Sequence, residues 1–373
     1  MVTPEAAVPA IARLGPALAL ALVSAALTGV MFLLVLLLVT GWSLSPLAAA
    51  AVVTTLPLGA LAGARVPGDP RARAAAGCAL AGSGVLALAF LPGDAVAWTI
   101  APQALAGLGM GLALPALAGG LLPERTPAEA AKLLAARHLG ITVALAVLAP
   151  LTANQLDRAV DELRLRGTAL VLDSRLAPLE KLELAGLALA DLGPVDPRED
   201  LDRALDEQAD RFDEPAERAA YAQLSARADE TLVSGLNEAF APAFLVCGAL
   251  ALLAALAVRP PPRGRPGRAA LAAALAALAL VAGQALAAPR AAPEPVTIGN
   301  PCGPRALPST GGIEGALQDV ALMALDRAAC RFGSSREELA LALANETEAR
   351  AYRRRYGVDP RSVSDLLGGL IGP

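Results

Sequence analysis

Hydrophobic residues dominate the N-terminal part of the chain, where residues 16–64 form a run of 49 positions without one charged side chain. A helix that crosses the hydrocarbon core of a bilayer needs about 20 apolar residues, so this run is long enough for two spans. Its only break, Gly41-Trp42-Ser43-Leu44-Ser45-Pro46, has the composition of a turn. The pattern therefore predicts a transmembrane hairpin. A cleaved signal peptide is the alternative, but its apolar region has about 7–15 residues, which is shorter than the first run here.

Further apolar runs follow along the chain, separated by polar connections. They predict spans at about residues 74–91, 96–122, 139–153, 239–258 and 269–288. With 55% hydrophobic and 18% charged residues, the chain is also more apolar than soluble proteins usually are. We therefore expect an all-α fold, a polytopic membrane helix bundle of about seven spans, with five spans in residues 1–153 and two in residues 239–288.

Two polar regions accompany the spans. Residues 154–238 contain twenty Asp or Glu and ten Lys or Arg, with leucines at roughly helical spacing, which predicts an acidic helical insert. Residues 289–311 are rich in Pro and Gly and are predicted to be a linker.

Residues 312–373 are predicted to form a small helical domain. Its first helix covers about residues 313–331 and ends at Gly333, a capping box of Ser334 with Glu337 or of Ser335 with Glu338 opens the next, and a third helix follows Pro360.

The four cysteines fall into two pairs. Cys78 and Cys247 lie within predicted spans and are expected to be packing residues. Cys302 and Cys330 are the only cysteines of the polar tail and are predicted to form a disulfide, which on the chain-entropy model stabilises the tail by roughly 3–4 kcal/mol. A metal site is the alternative, but two cysteines without a nearby histidine are a poor zinc set.

Basic residues are distributed unevenly among the connections, and this predicts the orientation. Alternate connections, starting from the N-terminal tail, carry eleven Lys or Arg, whereas the short turns at residues 41–46 and 92–96 carry none. Because basic residues concentrate on the cytoplasmic side, we expect a multi-pass protein of the cell membrane with a cytoplasmic N-terminus. The insert and the C-terminal tail are then extracytoplasmic, where a disulfide persists.

The predicted spans contain no Asp, Glu, Lys or Arg, so they offer no obvious proton relay. Gln103 either faces a central cavity or makes an interhelical hydrogen bond. Arg137, at the predicted cytoplasmic end of the fifth span, either contacts a partner half or an anionic substrate, or anchors the span by its charge. With Thr28, these residues are the candidates for a substrate path.

Several short motifs occur between residues 10 and 155. They are the turn Gly41-Trp42-Ser43-Leu44-Ser45-Pro46, the stretch from Gly59 to Arg73, Gly107-Leu108-Gly109-Met110-Gly111 with Pro115, and Arg137-His138-Leu139-Gly140 at the start of the fifth span. In order and spacing, this region resembles the C-terminal half of a major facilitator superfamily transporter, most nearly the fourteen-span drug:proton antiporter group. At the basic turn such transporters usually carry an Asp after Gly-x-Leu-x, where this chain has Gly63.

The resemblance implies a small-molecule exporter in which Gly59, Arg65, Arg71 and Arg73 form a gate-like cytoplasmic turn. It also implies that a second multispan half, or a second copy of the chain, completes the substrate site, because such transporters rock two halves around a midplane site. The alternative is a membrane scaffold that displays extracytoplasmic helical domains and transports nothing.

The sequence carries no nucleophile constellation, metal-ligand set or phosphate-binding loop. We therefore expect no enzymatic activity and no cofactor or metal. The expected partners are the lipid bilayer, an unidentified small molecule and a second half, and nucleic acid is not among them.

The last predicted span also has the features of an internal signal peptide. A basic segment, 259–268, precedes the apolar run, and Ala285-Leu286-Ala287 before Ala288-Pro289 is an Ala-x-Ala cleavage pattern. Pro289 is expected to leave this site extended and accessible. Either the span simply anchors the tail, or a peptidase cuts after Ala287 and releases it.

Overall fold

The computed structural model describes residues 10–121, 126–176, 180–181, 184, 196–258, 268–304 and 312–362. All regular secondary structure in these ranges is helical, which confirms the predicted all-α class. The chain separates into two compact units. Met1–Leu156 and Leu236–Ala292 form the apolar unit, and Asp157–Gly235 and Pro293–Pro373 form the polar unit.

The α-helices, in chain order, are α1 (Ala10–Leu36), α2 (Pro46–Val53), α3 (Thr55–Ala64), α4 (Pro70–Ala87), α5 (Ala97–Leu121), α6 (Pro127–Leu172), α7 (Pro197–Ala209), α8 (Pro215–Ala257), α9 (Arg268–Ala291), α10 (Gly312–Phe332), α11 (Arg336–Ala344) and α12 (Glu346–Tyr356). Within the described ranges, seven helical segments are long and apolar enough to cross a bilayer. They are Gly15–Gly41, Pro46–Ala64, Pro70–Phe90, Ala97–Gly119, Pro127–Leu172, Pro215–Ala257 and Leu271–Ala291. The structure is thus compatible with a multi-pass membrane protein.

The first two candidate spans are joined by a tight turn. α1 continues into a π-helical turn at Leu37–Gly41. The hydroxyl of Ser45 accepts a hydrogen bond from the backbone N–H of Ala48 at 3.3 Å, and Pro46 is the first residue of α2. Serine is favoured as an N-cap and proline at the first helical position, so local sequence fixes where the second candidate span begins.

Glycines allow α5 to approach α3 and α4 closely. A Cβ atom built on Gly59 of α3 would lie 2.7 Å from the carbonyl oxygen of Ala104 on α5, and one built on Gly109 of α5 would lie 2.5 Å from the carbonyl oxygen of Gly77 on α4. Gly107 and Gly111 are equally close to the backbone of α3. Small residues favour helix association in apolar surroundings because they let backbones approach. The glycine motif of α5 is therefore a packing surface.

α6 and α8 are much longer than the spans predicted within them. The predicted fifth span, 139–153, lies inside the 46 residues of α6, so the preceding segment expected to be a loop is mostly helical. The start of α6 is fixed by Thr126, whose hydroxyl accepts from the backbone N–H of Glu129 at 3.3 Å. The predicted sixth span, 239–258, overlaps the last part of the 43-residue α8.

The reason for this difference lies in the sequences that flank the apolar runs. They are rich in Ala, Leu, Glu and Arg, which favour helix as strongly as the apolar residues do. Hydropathy therefore marks the apolar part of each helix and not its ends. The boundaries between the two units fall within α6 and α8.

The polar unit contains most of the predicted insert together with the predicted tail domain. α10 is followed by Gly333 with φ of 72°, a left-handed conformation that favours glycine. Ser335 and Glu338 form the reciprocal capping box of α11, which confirms the second of the two predicted boxes. α12 is a helix that the sequence pattern does not predict, and residues 363–373, where the predicted third helix falls, lie outside the described residues.

Both cysteine pairs are found as predicted. Cys302 and Cys330 form a disulfide with their Cα atoms 5.0 Å apart. Cys78 and Cys247 are buried and free. Because Cys302 precedes α10 and Cys330 lies near its end, the disulfide fixes the segment after α9 to this helix. The predicted linker also begins later than expected, since α9 continues to Ala291.

Candidate functional site

Gln103 on α5 is the most buried of the residues predicted for a substrate path. Its Nε2 donates to the hydroxyl of Thr99 at 2.9 Å, and that hydroxyl donates to the carbonyl oxygen of Val96 at 2.8 Å. The bond of Gln103 thus lies within one helix and is not the interhelical bond that was one of the two expectations. Among the described residues its Oε1 accepts no hydrogen bond although it is buried. Such an atom is costly in apolar surroundings, so it is well placed to accept from water or a substrate.

A second glutamine reaches the same end of α5 from another helix. Gln284 on α9 is nearly fully buried, and its Nε2 donates to the carbonyl oxygen of Trp98 at 2.7 Å. Trp98 directly precedes Thr99, so the two glutamines bind adjacent positions of the first turns of α5. The sequence shows Gln284 only as one polar residue in an apolar run, and the pairing depends on how α9 packs.

Trp42 belongs to a third polar contact of the apolar unit. Its indole N–H donates to Oδ1 of Asn237 on α8 at 3.0 Å, and Nδ2 of Asn237 donates to the carbonyl oxygen of Gly93 at 3.3 Å. Asn237 thereby joins the end of the first span, α8 and the turn before α5. Trp42 is buried. Asn237 was not a predicted site residue, because by sequence it falls within the polar insert.

The other two path candidates are placed differently from Gln103. Thr28 is half-buried on α1, and Arg137 is exposed on α6 beside His138. In the part of the chain that the structure describes, no hydrogen bond or ion pair joins any two of Thr28, Gln103 and Arg137. The three residues therefore do not form one polar site within this chain alone.

Two arginines of the gate-like turn, Arg65 and Arg73, cap the end of α3. Nη1 of Arg65 donates to the carbonyl oxygen of Leu61 at 2.9 Å, and Nη2 of Arg73 donates to that of Ala64 at 3.4 Å. Both guanidinium groups thus bind the last carbonyls of α3, where positive charge is favourable. Arg71 is exposed. Gly59, the fourth predicted residue of this group, packs against α5 as described above.

The predicted cleavage site lies inside a helix. Ala285 and Ala287 are helical, and α9 continues through Pro289 to Ala291. The expectation that Pro289 leaves the site extended is wrong, because the chain is helical through this site, where Nη1 of Arg290 donates to the carbonyl of Leu286 at 2.5 Å. Cleavage after Ala287 therefore requires that the last turns of α9 first unwind.

The polar unit contains a buried charge cluster that was not predicted. The side chain of Arg336 has no exposed surface, and its Nη2 donates to Asp173 Oδ1 at 2.8 Å and to Glu337 Oε1 at 3.3 Å. Asp326 lies 3.9 Å from Nε of the same guanidinium. Sequence alone gives no signal for this cluster, since Asp173 comes from the insert and the other three residues from the tail.

Lys181 is a second buried cation next to this cluster. Its ammonium group donates to the carbonyl oxygen of Leu172 at 3.0 Å and is almost fully enclosed. Burial, together with the positive charge of Arg336, lowers the pKa of Lys181 to about 8 against the opposing effect of Asp173. Lys181 and Arg336 thus lie beside the same carboxylate of Asp173, and this cluster connects the insert to the tail.

Groups of three or more His, Cys, Asp or Glu that could hold a metal ion do not occur in the described ranges. Comparison with models of known protein families gave no match, and no curated protein matched the chain. The resemblance of residues 10–155 to a transporter half therefore remains a hypothesis based on the motifs of this sequence.

Proposed function

We propose that the chain is one half of a small-molecule exporter of the major facilitator type, which works together with a second multispan half. The seven candidate spans and the close glycine packing of α5 against α3 and α4 support this proposal. Gln103, with its buried amide oxygen, supplies a polar group within the apolar unit. The predicted orientation, with a cytoplasmic N-terminus and extracytoplasmic insert and tail, belongs to the same proposal.

The observation that carries the proposal is an exposed face of α6. The residues of this face are small or polar, and they repeat at intervals of three and four: Ala135, His138, Thr142, Ala146 and Ala149. In the apolar window of α6, only 17% of the residues are buried. Small and hydroxyl-bearing side chains are typical of helix–helix interfaces within membranes. This stripe, which exposed Leu139 and Leu145 flank, can therefore pack against another helix.

α9 provides the contrast within the same unit. Its window is only 11% buried, but its exposed side chains include Leu271, Leu275 and Leu278. Large aliphatic side chains suit contact with lipid tails. Both spans expose large aliphatic and small side chains, and α6 differs from α9 in the exposed polar groups of His138 and Thr142.

Cysteine cross-linking tests the proposal. The variant Thr142→Cys, labelled in membranes with a benzophenone maleimide and then irradiated, is expected to form an adduct with a second multispan polypeptide, and Leu278→Cys on α9 is the matched control. The parent chain is the background, because Cys78 and Cys247 are buried and the other two cysteines are bonded. The mass of the adduct distinguishes a second copy from a different protein. Absence of an adduct at Thr142, or an equal yield at Leu278, contradicts the proposal.

The second candidate function is a scaffold that transports nothing. The observation in its favour is the size of the polar unit, which comprises Asp157–Gly235 and Pro293–Pro373 and is stabilised by its own disulfide. A scaffold needs no second half. Purification in mild detergent without any multispan partner, together with unchanged ethidium efflux from cells that lack the chain, favours this alternative.

A further inference from the structure

The polar unit contains a groove of about 100 Å³ between α11, α12 and the second part of α6. Leu165 and Leu341 form apolar walls, and Tyr352 and Tyr356 add aromatic surface. We call it the tyrosine groove. It is smaller than most sites for free small molecules, which have about 300–1,000 Å³. Its volume equals that of about three water molecules, which suits a single head group on a larger ligand.

Hydrogen bonds hold both tyrosines in place. The hydroxyl of Tyr352 is hydrogen bonded to that of Ser334 at 2.6 Å, and the hydroxyl of Tyr356 donates to Glu338 Oε2 at 2.9 Å. The two ring centroids are 4.7 Å apart. Burial and the bond to Glu338 raise the pKa of Tyr356 to about 12, so it remains a donor at neutral pH. The aromatic surface is thus fixed before any ligand arrives.

Two carboxylates line the groove and favour a cation. Glu338 and Glu348 both contribute to the lining and are mostly buried, with side chains 17% and 29% exposed. Nη1 of Arg164 lies 3.7 Å from Oε1 of Glu348, which is longer than a hydrogen bond. A carboxylate beside an aromatic face is an arrangement that attracts guanidinium and ammonium groups.

Arg355 shows how a guanidinium group sits at this surface. Its Nη1 donates to Glu338 Oε1 at 2.8 Å, and its central guanidinium carbon lies 5.4 Å from the ring centroid of Tyr356. The side chain of Arg355 is 70% exposed. Because exposed ion pairs contribute little to stability, an incoming guanidinium group can replace Arg355 without disturbing the fold.

We propose that the tyrosine groove binds an arginine side chain of a partner polypeptide, which takes the place of Arg355 between the ring of Tyr356 and the carboxylates of Glu338 and Glu348. The delocalised, planar cation of arginine stacks on an aromatic ring and pairs with a carboxylate at the same time. This inference is independent of the proposed transport function, because every residue in it belongs to the polar unit.

Peptide titration of the full chain in detergent micelles tests the inference. The probe is acetyl-Ala-Ala-Arg-Ala-Ala-amide, and the same peptide with citrulline in place of arginine is the uncharged control. The arginine peptide is expected to bind and the citrulline peptide is not. Arg355→Ala is expected to strengthen binding, and Glu348→Gln to weaken it, each by about tenfold, a change typical of one charge-assisted contact.

Arg350→Ala is the matched control, since Arg350 is an exposed arginine of the same helix outside the groove. It is expected to bind the peptide as the parent chain does. The inference is overturned if neither the parent chain nor Arg355→Ala binds the arginine peptide, if the citrulline peptide binds equally well, or if Arg355→Ala and Arg350→Ala have the same affinity. Arg355 is exposed, so this variant provides a result even if Glu348→Gln fails to fold.

Discussion

Arg336 and Asp173 lie 163 residues apart in the chain, and Nη2 of the arginine donates to Oδ1 of the aspartate at 2.8 Å. One residue comes from the tail and the other from the insert. Since the guanidinium is fully enclosed and also bonds Glu337, it serves as the common counter-ion of carboxylates that are otherwise distant in sequence. The polar unit is thus held together by charge as well as by its disulfide.

Arg336→Met is expected to destabilise the polar unit by about 3–5 kcal/mol, the cost of removing one partner of a buried ion pair. The physical reason is that Glu337 and Asp173 would lose this counter-ion. Hydrogen exchange of peptides from α10, α11 and α12 in the full chain measures the effect. Arg350→Met, at an exposed position of α12, is expected to stay within about 0.5 kcal/mol of the parent. Equal protection in both variants contradicts the prediction.

Asn237 joins three parts of the apolar unit through two hydrogen bonds. Trp42→Phe keeps the aromatic packing and removes one bond, so we expect a loss of about 0.6 kcal/mol, the average for such bonds in membrane proteins. Asn237→Ala removes both and is expected to cost more. Asn154→Ala, at an exposed position of α6, serves as the control. Detergent-induced unfolding gives the three values, and the order Asn237→Ala, Trp42→Phe, Asn154→Ala should hold.

The packing of glycines on α5 predicts opposite effects on stability for two Gly→Ala substitutions, at Gly111 and at Gly119. A Cβ at Gly111 would meet the backbone of Ala60 and Ala64 on α3, whereas one at Gly119 has nothing within 4 Å. Gly111→Ala is therefore expected to destabilise by about 1–3 kcal/mol through overpacking. Gly119→Ala is expected to stabilise by about 0.5–1 kcal/mol through helix propensity. The same unfolding assay compares them, and a stabilising Gly111→Ala would show that α3 and α5 are not in contact.

How much could be predicted from sequence depends on how local each signal is. The capping box of Ser335 with Glu338, one of two that the sequence predicts, is found because the participating groups lie within four residues of each other. The helix end at Gly333 is also a local signal, which depends on glycine's conformational freedom. The disulfide is not local, and it is predicted because the tail contains only two cysteines.

The residues missed by sequence reasoning are those whose partners are distant. Trp42 and Asn237 are 195 positions apart, and no local pattern marks them as partners. Gln103 was recognised as a polar residue in a span, but its bond to Thr99 within α5 depends on which way the side chain turns. Buried charges such as Arg336 are missed because a charged residue in a polar segment is expected to face solvent.

The titration of Lys181 predicts how stability changes at alkaline pH. Its pKa falls from 10.5 to about 8 in the folded chain, mainly through burial. Between these two values the unfolded chain binds more protons, so the folded state gains stability as pH rises. Asp173 and Asp319 oppose the decrease in pKa, and Arg336 adds to it.

Lys181→Met removes this titration, so the parent chain is expected to gain stability relative to the variant as pH rises from about 8 to 10. Limited proteolysis of the polar unit by subtilisin at several pH values gives a cleavage rate for the parent chain and for each variant. The quantity compared is the ratio of the variant's cleavage rate to that of the parent chain. Lys132→Met, at an exposed position of α6, is the lysine control. A ratio that stays constant with pH for Lys181→Met excludes the proposed titration.

The orientation of the spans can be tested with two engineered cysteines at exposed arginines. Arg354→Cys lies on α12 of the polar unit, and Arg71→Cys lies in the basic turn predicted to be cytoplasmic. The physical reason for the prediction is the excess of basic residues, eleven against none, in alternate connections. The background reaction should be low, because two native cysteines are buried and the other two form the disulfide.

In intact cells a membrane-impermeant maleimide is expected to label Arg354→Cys only, and after lysis to label both. Labelling of Arg71→Cys alone in intact cells would reverse the orientation, and equal labelling of both would contradict a membrane between them.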